Sequence, residues 1–210
     1  MSRESILQKV RTSLQRSAGH PPGEIPAIRL YKSEADPEGR ILQFCKAVDA
    51  LAGQAYCAAS NADACAYISS LLGGGSSIAS NAPFLRECGI AALAGVQTGL
   101  AVEEEVRRLC AAADFGITGA DYALADTGTL VMLASGKEAR MISLLPPVHI
   151  AVIPKDRILP SLDDLFLLVP RPDQTTSSMV LITGPSRTAD IEQILIRGVH
   201  GPGELHVVII

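Results

Sequence analysis

The 210-residue sequence is long enough for one sizeable α/β domain with an appendage, and short for two independent enzymatic domains. Hydrophobic residues make up 48% and charged residues 19%, and the mean hydropathy is +0.27, which favours a parallel sheet covered on both faces. A net charge of −4, no Trp and only eight other aromatic residues (four Tyr, four Phe) argue against nucleic acid as a partner.

The first 33 residues predict an amphipathic helix followed by a Pro- and Gly-rich linker at 18–33. Four apolar residues share one face of this helix: Ile6, Leu7, Val10 and Leu14. Its polar face is basic, so the helix either packs on its own domain or acts as an arm that docks a partner. The main domain is expected over residues 34–210.

From residue 34 the sequence alternates between helical and strand patterns. Helices are expected at 35–51, 61–72, 82–88 and 101–113. Strands are expected at 54–59, 76–79, 115–118, 129–133, 148–154, 179–183 and 205–210. The glycines at 73–75 predict a helix C-cap, because they follow a helix and lack the Lys and Ser/Thr of a phosphate loop. The alternation predicts a three-layer α/β/α sandwich with a mostly parallel sheet and ligand sites at the carboxyl ends of strands.

Two negative features restrict the location and the cofactors. No apolar run reaches the roughly 18 to 20 residues that span a bilayer, and the basic N-terminal segment lacks the continuous core of a secretory signal. We therefore expect a cytoplasmic protein without a membrane span. The five cysteines are widely spaced without a C-x-x-C pair, which predicts small buried residues of a reduced compartment. Neither a metal nor a cofactor is expected in this chain.

Polar residues are concentrated in the loop 118–129, which follows a predicted strand. Asp121 is a candidate general base, and Asp126 a candidate orienter of hydroxyls or backbone amides. Three threonines supply hydroxyls for a ligand: Thr118, Thr127 and Thr129. The same residue types are common in turns and caps, so a purely structural interpretation stays open.

Two further polar loops, 183–190 and 198–203, are expected to converge with the first into one pocket. Ser186, Arg187 and Thr188 suit a carboxylate or phosphate at a strand-to-helix turn, although Asp190 could equally cap a following helix. His200 lies among glycines that would present its imidazole to a ligand. The other strand histidines, His149 and His206, are expected to be structural.

Two long segments, "GITGADYALADTGTLVMLASGKEARMISLLPPVHIAVIPKDRILPSL" and "ITGPSRTADIEQILIRGVHGPGELHVVII", closely resemble the lactate utilization protein C family, the single-domain LUD-domain proteins. The resemblance covers about residues 34–210. It implies a cytoplasmic bacterial protein that acts with two iron–sulfur partner proteins in the oxidation of L-lactate to pyruvate, and this chain matches the cluster-free member. Lys137 and Arg140 fall in a loop that varies in the family.

The resemblance also implies a fold related to the sugar-phosphate isomerases and CoA transferases, in which a strand-end Gly-Ala-Asp places its carboxylate in the site. The "GAD" at 119–121 is similar, which implies an acid/base or hydroxyl-binding role for Asp121.

Three functions follow from these patterns. The first is a cluster-free subunit of an L-lactate oxidation system that binds a small carboxylate or organises its redox partners, since the sequence has no dinucleotide-binding G-x-G-x-x-G turn. The second is a free-standing isomerase- or transferase-like enzyme that acts on a phosphorylated metabolite through Asp121 and the Ser186–Thr188 loop. The third is a structural assembly protein whose polar loops are caps.

Overall fold

A computed structural model gives the architecture of the chain. It describes residues 2–14, 36–99, 101–135, 139–171, 176–189 and 195–210. The chain divides into two compact units, Met1–Leu30 and Tyr31–Ile210. The predicted N-terminal helix is present in the first unit, whereas the predicted linker at 18–33 lies outside the described residues.

The helices and strands of the described residues follow one another in the alternation expected from the sequence. The helices are α1 (Arg3–Leu14), α2 (Pro37–Ala50), α3 (Asn61–Leu72), α4 (Pro83–Glu87), α5 (Glu103–Ala112) and α6 (Leu162–Leu168). The strands are β1 (Gln54–Cys57), β2 (Ser77–Ala79), β3 (Val96–Gln97), β4 (Phe115–Gly119), β5 (Tyr122–Leu124), β6 (Thr129–Leu133), β7 (Val148–Ile153), β8 (Ile158–Leu159), β9 (Met179–Ile182), β10 (Arg187–Ala189), β11 (Leu195–Arg197) and β12 (Glu204–Ile209).

The second unit is built around a six-stranded sheet with the order β1-β12-β7-β4-β2-β3. Every neighbouring pair in it is parallel, which confirms the predicted parallel sheet. In its centre Ile150 pairs with both His206 and Ile117. The central strands β7 and β12 are mostly apolar because a parallel sheet is covered on both faces.

Successive residues of the central strands enter different cores, one on each face of the sheet. On β7, Ile150 and Val152 pack in a cluster with side chains of α3 and α4. The alternate residues Ala151 and Ile153 pack with Phe44 of α2 and with side chains of β5, β6 and β8. Helix α5 also adds buried side chains against the sheet, so the predicted three-layer arrangement is confirmed.

Local signals place two of these helices. The Asp36 carboxylate accepts a hydrogen bond from the Gly39 N–H at 2.6 Å at the start of α2. The Ser60 hydroxyl caps α3 in the same way at 3.2 Å. Gly73 ends α3 in the left-handed conformation, with φ of 53°, which confirms the predicted C-cap.

A smaller sheet, with the order β8-β5-β6-β9, was not predicted as a separate layer. Strand β5 lies inside the segment 118–129, which the sequence analysis treats as one polar loop. Ala123 and Leu124 of this strand are buried, and β5 pairs antiparallel with β6. The apolar triplet Tyr-Ala-Leu therefore divides that polar segment into two separate parts.

Two further expectations are wrong. Arg187 and Thr188 lie in β10, which pairs antiparallel with β11, so the segment after Ser186 is not a strand-to-helix turn. The proposed cap Asp190 lies outside the described residues. The helix expected at 101–113 begins later, at Glu103, and Val102 before it is 59% exposed.

Candidate functional site

A cleft of about 420 Å³ opens at the carboxyl edge of the parallel sheet. Its lining includes residues that directly follow strands, namely Ala82 after β2, Asp121 after β4 and Pro154 after β7. Glu87 of α4 and Arg157 also line it. This edge is where parallel α/β sheets commonly bind ligands, because the loops after neighbouring strands meet there.

Asp121 is fixed in this cleft by two backbone hydrogen bonds. Its carboxylate Oδ2 accepts from the N–H of Leu133 at 2.7 Å, and its own N–H donates to the carbonyl oxygen of Val131 at 3.0 Å. Burial raises the pKa of the Asp121 carboxyl, while the Leu133 N–H and the Arg157 guanidinium oppose that rise. A positioned carboxyl whose pKa is raised is suited to accept and return a proton.

Arg157 supplies the positive charge of the carboxyl-edge cleft. Its guanidinium carbon lies 5.5 Å from the centre of the Tyr122 ring, which holds the side chain by a cation–π contact. The sequence analysis did not select Arg157. It could have been selected from its position shortly after the strand 148–153, because residues that follow a parallel strand lie at the carboxyl edge of the sheet.

Asp126, Thr127 and Thr129 lie at the other end of β5. The Asp126 carboxylate accepts from the Thr127 hydroxyl at 3.2 Å, and the Thr129 hydroxyl lies 2.8 Å from the hydroxyls of both Thr127 and Thr183. Between them Gly128 adopts φ of +63°, and a side chain there would collide with the backbone of Ala47 in α2. These contacts are those of a turn packed against a helix.

A second cleft, of about 330 Å³, includes Ser186, Arg187 and His200 in its lining. The Ser186 N–H donates to the carbonyl oxygen of Pro202 at 2.8 Å, and the Ser186 carbonyl accepts from the Gly198 N–H at 3.1 Å. The structure thus brings together two of the predicted loops. Arg187 also donates to the carbonyl oxygen of Leu51, where a cation is favourable at the C-terminal end of α2.

Thr118 and His149 form a buried pair beside this second cleft. Thr118 is fully buried, and its hydroxyl oxygen lies 2.8 Å from Nε2 of His149. Burial lowers the pKa of His149 to about 4, so the ring is neutral at physiological pH. Among the described residues Nδ1 of His149 has no hydrogen-bond partner. Thr118 therefore serves this internal contact instead of facing the carboxyl-edge cleft.

The predicted single pocket is not observed. His149, which lines the second cleft, and Pro154, which lines the first, are five residues apart along β7, about 16 Å in an extended strand. Ser186 and His200 therefore lie at the amino edge of the sheet and Asp121 at the carboxyl edge. The loop 198–203 leads into β12 and therefore lies at the edge where that strand of the parallel sheet begins, which explains this separation. Thr188, in β10, pairs with Ile196 of β11 and lines neither cleft.

No group of three or more His, Cys, Asp or Glu side chains in the described ranges is arranged to hold a metal ion. No helix within those ranges combines the length and the apolar character that crossing a membrane requires.

Comparison with known proteins places the chain in a family. The model of the LUD domain matches residues 41–210. Lactate utilization protein C of Halalkalibacterium halodurans is 45% identical over 94 residues, which cover 43% of this chain and 41% of that protein. Lactate utilization protein C 1 of Bacillus mycoides is 40% identical over 108 residues, 50% of this chain and 46% of that protein. The matching part of the chain thus spans less than half the length of these relatives.

A solved structure shares the fold. The crystal structure of a DUF162 family protein from Deinococcus radiodurans superimposes with a TM-score of 0.63 at 19% identity, and the match covers 83% of this chain and 98% of that one. The family match over 41–210 confirms the resemblance found in the sequence. The chain is therefore a member of the LUD domain family.

Proposed function

We propose that this chain is the cluster-free component of a cytoplasmic L-lactate utilization system, and that its carboxyl-edge cleft binds a small carboxylate. The names of the relatives support the lactate assignment. The observation that carries the choice of site is that one cleft is lined both by Asp121, a carboxyl with a raised pKa, and by Arg157.

The two groups match the two polar ends of a 2-hydroxy acid. Arg157 binds the carboxylate of the ligand by charge-assisted hydrogen bonds. Asp121 accepts the hydrogen of the ligand hydroxyl and, once protonated, returns it to solvent or to the product. Oxidation to the 2-keto acid also removes two electrons and a second proton, that of the Cα–H bond. In this proposal the electrons pass to iron–sulfur partner proteins and the second proton passes to solvent, while this chain carries no cofactor of its own.

The alternative of a free-standing isomerase- or transferase-like enzyme receives less support from the geometry. It requires Asp121 and the Ser186–Thr188 loop to act on one phosphorylated metabolite. Because Asp121 and Ser186 line clefts at opposite edges of the sheet, a small metabolite cannot contact both. A third possibility, a purely structural assembly protein, predicts no ligand in the carboxyl-edge cleft.

Two measurements test the proposal. In a bacterium that depends on this system, deletion of the gene should abolish growth on L-lactate and leave growth on pyruvate intact, and the wild-type gene should restore it. Affinity purification of the chain should recover iron–sulfur proteins with their sulfide-to-iron absorption, whereas the chain alone is colourless. Normal growth of the deletion strain on L-lactate would refute the assignment.

The site is tested separately by calorimetric titration of the purified chain with L-lactate and with pyruvate. We expect saturable binding that is lost in Arg157→Gln. The variant Arg187→Gln, which alters the second cleft, should retain this binding. Equal binding by both variants would place the ligand elsewhere, and absence of binding by the wild type would favour the assembly role.

A further inference from the structure

Two cysteines that are distant in the sequence meet at the surface of the second unit. Sγ of Cys45, on α2, lies 3.5 Å from Sγ of Cys57, the last residue of β1. The sequence analysis treated all five cysteines as isolated buried residues. That interpretation is wrong for Cys57, whose residue is exposed, and for this pair, which the packing of α2 against β1 brings into contact.

The two sulfurs differ in their surroundings. Cys45 is half-buried, and burial, followed by the hydrogen bond to Cys57, raises the pKa of its thiol to about 12. Cys45 therefore remains a protonated thiol at neutral pH. The exposed sulfur of Cys57 is the one that a reagent in solution meets first.

We propose that Cys45 and Cys57 form an oxidisable dithiol that a hydroperoxide converts into an intramolecular disulfide. Cysteine sulfurs in a disulfide lie about 2.05 Å apart, so the pair needs to close by only about 1.5 Å. The other described cysteines have different contacts: the thiol of Cys65 donates to the carbonyl oxygen of Cys88, and the thiol of Cys88 to that of Phe84.

The oxidation proceeds in two steps. The sulfur of Cys57 attacks one oxygen of hydrogen peroxide, the O–O bond breaks, and the products are the sulfenic acid of Cys57 and water. The sulfur of Cys45 then attacks the sulfur of Cys57, the S–O bond breaks, and the hydroxyl leaves as water with the proton of Cys45. The two thiols have lost two electrons and two protons, and the peroxide has been reduced to two molecules of water.

The disulfide would join α2 to β1 and close the loop between positions 45 and 57. A bridge of this kind restricts the unfolded chain, so the oxidised protein should melt at a higher temperature than the reduced protein. The cleft residues Asp121 and Arg157 take no part in the bridge, and the proposal is therefore independent of the proposed lactate function.

The experiment uses the full chain, reduced and then treated with a small excess of hydrogen peroxide. Intact mass should fall by two hydrogens, and peptide mapping should join the peptides that contain Cys45 and Cys57. In Cys45→Ser the reaction should stop at a sulfenic acid that dimedone traps on Cys57. In Cys57→Ser the bridge should be lost, whereas Cys110→Ser, which removes a fully buried thiol, should bridge as the wild type does.

Circular dichroism of each reduced variant verifies that it is folded before the comparison. Two results would overturn the proposal: a wild-type chain that keeps both thiols reduced under peroxide, or a bridge that maps to another pair. Undiminished bridging in a folded Cys57→Ser variant would do the same. An oxidised wild type that melts no higher than the reduced protein would contradict the assignment of the bridge to a folded-state contact between α2 and β1.

Discussion

The hydroxyl oxygen of Thr118 lies 2.8 Å from Nε2 of His149, and both residues are buried between neighbouring strands of the parallel sheet. A single hydrogen bond joins the two side chains, and the tautomer of the neutral ring sets its direction. Thr118, which was predicted to bind a ligand, and His149, which was predicted to be structural, thus contact each other inside the protein.

Acid should destabilise the protein through His149. The pKa of this imidazole is lowered from 6.5 to about 4 by burial, so between these values the unfolded chain binds a proton that the folded chain does not. The contribution of His149 to the free energy of unfolding is therefore fully present above pH 6.5. It falls by about 3 kcal/mol as the pH drops to about 4, at 1.36 kcal/mol per pH unit. Urea unfolding at several pH values measures this loss.

The matched variants for this prediction are His149→Gln and His200→Gln. The first removes the buried imidazole and should reduce the pH dependence, whereas the second removes an exposed ring and should leave it unchanged. His206, whose pKa is also lowered by burial, remains in both variants and contributes equally to them. An unchanged slope in His149→Gln would assign the acid sensitivity to other groups.

Replacing Thr118 by Val should lower the free energy of unfolding by about 1–3 kcal/mol at pH 7, the usual cost of leaving a buried polar atom without its partner. The shape of the side chain is nearly retained, so the loss reports the hydroxyl. Thr118→Ser keeps the hydroxyl and should recover part of the stability. Denaturant unfolding of the three proteins gives the comparison, and a Val variant as stable as the wild type would refute the assigned hydrogen bond.

Asp121→Asn should abolish growth on L-lactate and change stability by no more than about 1 kcal/mol. The amide oxygen can still accept the Leu133 N–H, but the proton-accepting carboxylate is gone. Asp126→Asn is the matched control, because Asp126 is exposed at the other end of β5 and should support growth. Full complementation by the Asp121 variant would exclude an essential acid/base role, and an unfolded variant would indicate a structural one.

Gly116→Ala should destabilise the protein by about 3 kcal/mol or more, at the upper end of overpacking costs. A Cβ at this position of β4 would overlap the carbonyl oxygen of Ile142, and backbone cannot move aside as a flexible side chain does. Gly203→Ala is the control, since its Cβ would lie 3.6 Å from the Cα of Gly198, an ordinary contact. Thermal melting should therefore show a large shift for the first variant and a small one for the second.

Deleting residues 1–30 should leave a cooperative thermal transition, because the second compact unit begins at Tyr31 and contains the whole parallel sheet. The truncated chain should also bind its partners more weakly if the basic helix acts as a docking arm. Loss of the transition would show that α1 is needed for the fold of the second unit.

Strong local patterns predicted most of the fold from the sequence. Helix α3 was predicted with its observed bounds, and the glycines at 73–75 marked its end in the sequence. The parallel sheet followed from apolar runs such as 148–153, which only a sheet buried on both faces accommodates. Strand β5 was missed because three residues carry no detectable period, and its pairing with β6 is a tertiary effect.

The candidate site was predicted only in part. Asp121 lies at the carboxyl edge of the sheet, as its place soon after a predicted strand indicated. The prediction that Asp121 shares one pocket with Ser186 and His200 was wrong, because it ignored whether each loop precedes or follows its strand. A loop that precedes a parallel strand lies at the opposite edge from one that follows it, and 198–203 precedes β12.

Two polar loops, 118–129 and 183–190, make three contacts at the C-terminal end of α2. Gly128 packs on Ala47, Gly184 lies against Leu51, and Arg187 donates to the carbonyl oxygen of Leu51. One inserted residue would rotate everything after it by about 100° and advance it by about 1.5 Å, which would break all three contacts together. The length of this helix is consequently a fixed dimension of the molecule, and variation in size among related chains has to be absorbed by loops elsewhere.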